Sequence, residues 1–127
     1  MPVSSPARAL LEVRDLAVTY AGAANRVVDG LSFDLNAGEI IGIDGPSGCG
    51  KTSAALALLK LLPPDAQVRG SAVFDAQDLL RLGDRQMRAI RGRRVSIMYQ
   101  EPALALNPVM RVGDQIAEVL RAHSNLN

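Results

Sequence analysis

The feature that most constrains this chain is a glycine-rich loop at residues 45–52, which reads GPSGCGKT. It fits the phosphate-binding pattern of a glycine, four residues and then Gly-Lys-Ser/Thr. A short apolar run precedes it at residues 39–44, and a run rich in Ala, Leu and Lys follows at residues 52–62. Such a loop joins a buried strand to the N-terminus of a helix. The sequence therefore predicts a loop that binds a nucleoside triphosphate, with a ligand-free glycine turn as the alternative.

Each position of the loop has a physical role. Gly45, Gly48 and Gly50 allow positive φ angles and a close approach of the backbone to an anion. Lys51 is expected to reach the β- and γ-phosphates, and the Thr52 hydroxyl is expected to bind Mg²⁺. The remaining phosphates are expected to lie on backbone N–H groups at a helix N-terminus. The predicted binding residues are Gly45, Pro46, Ser47, Gly48, Cys49, Gly50, Lys51, Thr52 and Ser53.

Cys49 is the only cysteine, which excludes an internal disulfide and fits a reducing cytosol. One interpretation is that it fills a variable position of the loop. The other is that the helix N-terminus activates the thiol, so that alkylation blocks nucleotide binding.

The rest of the chain predicts a mixed α/β sheet packed by helices. Alternation and short apolar runs indicate strands at residues 10–20, 27–35, 39–44, 68–74 and 95–99. Helices are expected at residues 52–62, 84–91 and 110–122. Asp84 is expected to be the N-cap of the second helix, and Gly92 lies just past its end.

Composition excludes several classes of function. The net charge is +1 and aromatic residues make up 3% of the chain, so the arginines at positions 81, 85, 88, 91, 93 and 94 favour a solvated face over a nucleic-acid interface. No apolar stretch reaches the length of a spanning helix and no secretory signal is visible, so the prediction is a soluble chain that meets a membrane only through a partner. His123 is expected to be exposed and uninvolved.

Residues 27–35 (VVDGLSFDL) and 37–40 (AGEI), followed by the loop, resemble the approach to the Walker A motif in nucleotide-binding subunits of ATP-binding-cassette transporters. The resemblance implies that ATP is the nucleotide. Tyr20 matches the aromatic residue that stacks on adenine in that family. The alternative for Tyr20 is a core tyrosine at the end of a strand.

Residues 91–102 (RGRRVSIMYQEP), 106–110 (LNPVM) and 112–116 (VGDQI) resemble the dipeptide, oligopeptide and nickel importers within that family. Gln100 matches the glutamine of the family's Q-loop. This match implies that its side-chain carbonyl reaches Mg²⁺ and the attacking water, which makes Gln100 the catalytic candidate and a second metal ligand beside Thr52.

The resemblance covers about the first half of a cassette domain. The sequence has no Leu-Ser-Gly-Gly-Gln signature, no Walker B strand ending in Asp-Glu and no switch histidine. The expected fold is therefore α/β, a P-loop NTPase core with an N-terminal antiparallel β part, truncated before the signature and Walker B motifs. Residues 1–9 are expected to be a flexible lead-in and residues 10–127 the cassette portion, with a helical subdomain from about residue 101. Asp44 occupies a position that is more often uncharged, so it is expected to weaken phosphate binding slightly.

The resemblance implies an ATP-binding subunit that energises a membrane importer of peptides or nickel. Its partners would be transmembrane permease subunits and a second nucleotide-binding subunit, and it would lie at the cytoplasmic face of the bacterial inner membrane. Because no general base is present, hydrolysis by these residues alone is expected to be poor or absent. The alternatives are a non-hydrolysing fragment that at most binds nucleotide, and a small P-loop kinase.

Overall fold

The computed structural model describes residues 8–124, so most of the proposed lead-in at residues 1–9 lies outside the described residues. The chain divides into two compact units, with the boundary between Gly83 and Asp84. The first unit contains strands β1 (Leu11–Thr19), β2 (Val28–Leu35), β3 (Gln67–Phe74) and β4 (Gln77–Asp78), helix α1 (Lys51–Leu58) and a 3₁₀ turn at Leu79–Arg81. The second contains helices α2 (Asp84–Ile90), α3 (Pro102–Ala105) and α4 (Val112–His123).

The strands of the first unit form one antiparallel sheet in the order β2-β1-β3-β4. β1 and β3 are the two inner strands, and Val13, Leu16 and Val18 of β1 are fully buried. One extra residue in β1 between Val13 and Leu16 breaks the register with β2, and Asp15 has a φ of 50°. This bulge moves Leu16 and Val18 to the buried face that Val13 occupies, which strict alternation would not do.

Opposite the bulge, β3 comes so close that only glycine fits. A Cβ atom on Gly70 would lie 2.5 Å from the Arg14 carbonyl oxygen, and the φ of Gly70 is +100°. Beside it, Arg14 forms an ion pair of 2.5 Å with Asp34 of β2, both side chains being about half exposed. The hydrogen bond from Arg14 holds the pKa of the Asp34 carboxyl below its usual value. The bulge therefore fixes the register of three strands.

Helix α1 lies on this sheet through small side chains. Ala54 and Ala57 are buried, and the helix contacts β1, β2 and the 3₁₀ turn. Small residues let a helix approach a sheet closely, which brings the N-terminus of α1 near the start of β2. The sheet thereby positions the glycine loop.

Two predicted strands are wrong. Residues 39–44 form no regular structure, and Ile40 is 96% exposed. Of residues 95–99, only Val95 makes an isolated bridge, to Arg91, and Met98 is 94% exposed. The apolar runs indicated strands buried between neighbours, but no strand among the described residues pairs with either run, and a strand without a partner leaves its backbone groups unbonded.

The other elements are confirmed with shifted ends. Helix α1 stops at Leu58, before the prolines, because the chain turns at Lys60 with a φ of 52°. Asp84 is the first residue of α2 and lies in its first turn, so its assignment as the N-cap is wrong. β4 and α3 were not predicted, since two and four residues are too short to show a period.

In the second unit α2 contributes buried side chains, whereas α4 has none. Met87 and Ile90 of α2 are buried, and Gly92 follows the helix with a φ of +77°. A Cβ atom at Gly92 would lie 3.2 Å from Nε2 of His123, which is half-buried. The expectation that His123 is an exposed bystander is therefore wrong, because its ring packs beside the turn after α2.

No helix in the described part of the chain has the length and apolar character needed to span a bilayer.

Candidate nucleotide-binding site

The glycine loop folds as a tight turn that ends on the first residue of α1. The Cys49 N–H donates to the Pro46 carbonyl over 3.2 Å, and Gly48 and Gly50 have φ angles of 80° and 98°. A Cβ atom on Gly45 would lie 2.6 Å from Cys49 Sγ. The loop is therefore packed closely at Gly45 and Gly50, where a Cβ atom would collide with its neighbours, whereas Gly48 is required by its positive φ alone.

The N-terminus of α1 offers its donors to the loop. Gly50 is the N-cap and provides no side-chain acceptor, and the first turn contains no acidic residue. The first backbone bond inside the helix runs from the Ala54 N–H to the Gly50 carbonyl over 2.9 Å. The N–H groups of residues 51–53 precede that bond, so they are available to an anion and carry the positive end of the helix dipole.

Lys51 brings a positive charge into the loop. Its Nζ donates to the carbonyl oxygens of Gly45 at 2.5 Å and Pro46 at 2.9 Å, and lies 3.5 Å from Cys49 Sγ. The ammonium group is thus held by the backbone of the loop rather than extended into solvent. A phosphate on the loop would meet this charge together with the helix N-terminus.

Asp44 lies at the entrance of the loop. Its carboxylate accepts a hydrogen bond of 2.8 Å from the Gly45 N–H. The negative charge of Asp44 thus lies next to Gly45, the first residue of the loop, and is stabilised there by a backbone N–H. The sequence predicts that this charge weakens phosphate binding slightly.

A cavity of about 320 Å³ opens between the loop, α1 and the start of β2. Its volume is at the lower end of the range for small-molecule sites. Its walls combine apolar side chains with Lys51 and the backbone of the loop, and are formed by Val27, Val28, Asp29, Gly30, Leu31, Ile43, Asp44, Cys49, Gly50, Lys51 and Ala54. The walls from β2 were missed by sequence analysis, because alternation alone does not say which strand face looks toward the loop.

Tyr20 follows β1 directly and reaches α1. Its hydroxyl lies 2.8 Å from Oγ of Ser53, and both residues are half-buried. The structure thus brings two of the predicted binding residues into contact, one at the end of β1 and the other in the first turn of α1. Gln100 belongs to the second unit, where it is exposed in the segment before α3.

The loop suits Mg²⁺ in the way that phosphate loops do. Thr52 is exposed in the first turn of α1, next to Lys51, and its hydroxyl is a hard oxygen ligand. Mg²⁺ commonly takes one or two protein oxygens and completes its shell with phosphates and water. The Thr52 hydroxyl would therefore be sufficient as the one Mg²⁺ ligand that the loop supplies.

A glycine loop on the N-terminus of a helix that packs on a sheet, with its lysine folded over it, defines the class of P-loop nucleotide-binding proteins. The chain belongs to the ABC transporter family, whose model matches residues 28–127. The resemblance drawn from the sequence is thereby confirmed, as is the mixed α/β fold with an N-terminal antiparallel sheet. The small-kinase alternative is excluded.

Relatives identify the branch. The chain is 44% identical over 124 residues to the oligopeptide transport ATP-binding protein OppD of Salmonella typhimurium, covering 96% of this chain and 37% of the relative. It is 43% identical to the dipeptide transport ATP-binding protein DppD of Bacillus subtilis, covering 93% and 36%. The resemblance to the peptide-importer branch is confirmed, and the chain spans little more than a third of either relative.

A solved structure supports the fold. The ATP-bound structure of a bacterial Atm1-family ABC exporter aligns with a TM-score of 0.50 and 23% identity, covering 92% of this chain and 22% of the exporter chain. At this identity the likeness concerns the fold alone.

Proposed function

We propose that this chain is the nucleotide-binding part of an ATP-binding subunit that energises peptide import through membrane permease subunits. The observation that carries the proposal is the loop itself, in which the Lys51 ammonium and the uncapped N-terminus of α1 face the same small volume. The relatives are oligopeptide and dipeptide transport ATP-binding proteins, and they suggest peptides as the cargo. Nickel, the other cargo that the sequence suggested, has no support from these names.

Each binding residue has a separate role in this proposal. The N–H groups of the loop and of the first turn of α1 bind the phosphates, and Lys51 neutralises their charge. The ring of Tyr20 stacks on adenine. Thr52, and Gln100 once it approaches the γ-phosphate, are the protein ligands for Mg²⁺, which would spread the negative charge of the phosphates.

The remaining parts of a transport cycle are proposed to involve partners. The segment after Gln100 would dock on cytoplasmic loops of the permease, and a second nucleotide-binding subunit would complete the ATP site. The protein would then lie on the cytoplasmic face of the membrane, attached through the permease. The relatives' transport function supports this arrangement.

The test compares the two lysines of the chain. Lys51→Ala is expected to weaken binding of fluorescent ATP in the presence of Mg²⁺ by about ten- to a hundredfold, the usual value of a charge-assisted hydrogen bond. Lys60→Ala is the matched control, because Lys60 follows α1 at its other end and donates to the Leu82 carbonyl at 2.7 Å. Equal affinity of wild type and Lys51→Ala would contradict the proposal.

A fragment that at most binds nucleotide is the second candidate for residues 1–127 taken by themselves, because these residues include no Walker B aspartate and glutamate. Phosphoryl transfer to water needs an oriented nucleophile as well as bound phosphates. Release of inorganic phosphate by the chain alone, measured at saturating MgATP, separates the two. Steady turnover that Lys51→Ala abolishes would rule out the non-hydrolysing candidate.

A further inference from the structure

The hydroxyl of Tyr20 makes a contact that stacking on a base does not use. Its oxygen lies 2.8 Å from Ser53 Oγ, a distance that fits a good hydrogen bond between hydroxyl groups. Both side chains are half-buried, so water competes less for this bond than on an open surface. The bond ties the end of β1 to the first turn of α1.

The direction of this bond depends on what else Ser53 does. A hydroxyl group has one proton to donate and two lone pairs that accept. An ionised phosphate accepts hydrogen bonds and has few or no protons to donate. Ser53 can therefore donate to it only if the Ser53 hydroxyl is not already donating to Tyr20. A phosphate on the first turn of α1 therefore favours one arrangement of the two hydroxyls. In it Tyr20 donates a hydrogen bond to Ser53, and Ser53 donates a hydrogen bond to the anion.

We propose that Tyr20 is a positioning residue for phosphate: its hydroxyl donates to Ser53 Oγ and directs the Ser53 proton toward the bound phosphates. This inference rests on the proposed function and adds to it a role for Tyr20 that is separate from stacking. Two consecutive hydrogen bonds in the same direction polarise one another, which strengthens the one to the anion.

The bond also keeps Ser53 in a useful conformation. A serine hydroxyl that nothing binds can rotate among three staggered conformations. The contact with Tyr20 selects one of them. Losing the Tyr20 hydroxyl would therefore cost phosphate affinity even when the ring remains.

The experiment uses a ligand without a base. Binding of inorganic tripolyphosphate and of ATP, each with Mg²⁺, is measured by calorimetry for the full chain and for Tyr20→Phe, Ser53→Ala and the double variant. Tyr20→Phe keeps the ring, and we expect it to weaken both ligands by the same factor, about three- to tenfold for one net hydrogen bond. Ser53→Ala is expected to weaken both by about tenfold or more. The double variant should be no weaker than Ser53→Ala alone, because Tyr20 acts through Ser53.

Two results would overturn the inference. One is an unchanged affinity of Tyr20→Phe for tripolyphosphate, which would leave Tyr20 with stacking only. The other is a double variant whose loss equals the product of the two single losses. Failure of the wild type to bind either ligand would contradict the proposed function itself and would be seen before any variant is compared.

Matched variants guard against a general loss of structure. Tyr99→Phe removes the same hydroxyl from the other tyrosine of the chain, which lies in the second unit, and should leave tripolyphosphate affinity unchanged. Ser53→Thr keeps the hydroxyl and should retain sensitivity to Tyr20→Phe, whereas Ser53→Ala should lose it. Thermal unfolding of each variant is recorded alongside binding.

Discussion

Gly50 combines two constraints at one residue. Its φ of +98° lies where side chains are strained, and a Cβ atom there would collide with the Val27 carbonyl oxygen and lie 3.0 Å from Val28 Cγ2. The loop can therefore meet α1 in this direction only through glycine. The same residue leaves the N-terminus of the helix without a side-chain cap, and in the proposed function a phosphate would take the place that a capping oxygen otherwise has.

We expect Gly50→Ala to lower the free energy of unfolding by about 1–3 kcal/mol, the cost of a residue held in a rarely populated conformation. The Cβ atom would push the loop from the start of β2 and so weaken MgATP binding as well. Denaturant unfolding and fluorescent ATP binding measure the two effects.

The matched control for Gly50→Ala is Gly42→Ala. A Cβ atom on Gly42 would meet nothing within 4 Å, and its φ is not in the positive region. Stability and binding of this variant should stay near those of the wild type. A Gly50→Ala protein as stable as Gly42→Ala would show that the loop can move away without cost.

At the scale of elements, Gln115 joins α4 to the turn that precedes it. Its Oε1 accepts from the Asn107 N–H at 2.9 Å, and its Nε2 donates to the carbonyls of Asn107 and Met110, each at 3.0 Å. Asn107 Oδ1 accepts in turn from the Val109 N–H at 3.1 Å. One carboxamide thus satisfies three backbone groups and orders a turn that has no regular structure of its own.

Gln115→Leu is expected to remove these bonds while keeping the size of the side chain. The amide of Asn107 should then exchange its hydrogen about tenfold faster, since a single lost hydrogen bond is worth about 1 kcal/mol and more than one is lost here. Amide exchange followed by NMR or mass spectrometry measures this, with Glu118→Ala on the same helix as the control. Unchanged exchange at Asn107 would mean that the turn is ordered without Gln115.

Over the whole molecule, large apolar side chains remain in water in both units. Ile40 is 96% exposed, Met98 94%, Val109 89% and Leu104 81%. Single exposed apolar residues are ordinary, but residues 39–44 and 95–99 are apolar runs whose pattern belongs to buried strands. Such segments expose unpaired backbone groups together with apolar side chains, which promotes association between chains.

We therefore expect the chain alone to self-associate as its concentration rises. Sedimentation velocity over a concentration series should show growing species, and Ile40→Ser combined with Val109→Ser should reduce them. A monomer that unfolds in one sharp and reversible transition at high concentration would contradict this expectation.

Most of the local structure was predictable from short stretches of sequence. The loop at residues 45–52, α1, α2, α4 and the three long strands follow from patterns that span fewer than about fifteen residues. The candidates Lys51 and Thr52 were found in the same way, since a motif fixes residue types at short spacing, whereas Tyr20 was proposed from the resemblance to the family. Such patterns determine backbone conformation because they act through neighbours along the chain.

Features that depend on distant partners were not predictable in this way. Residues 39–44 carry the pattern of a strand but need a neighbour to become one, and the bulge at Asp15 changes which side chains of β1 are buried. The contact between Tyr20 and Ser53 joins residues 33 positions apart, and no spacing rule indicates it. The sequence alone thus determined the glycine loop and the family. Strand pairing, the walls of the cavity and the link from β1 to α1 arise from long-range packing, which no local window contains.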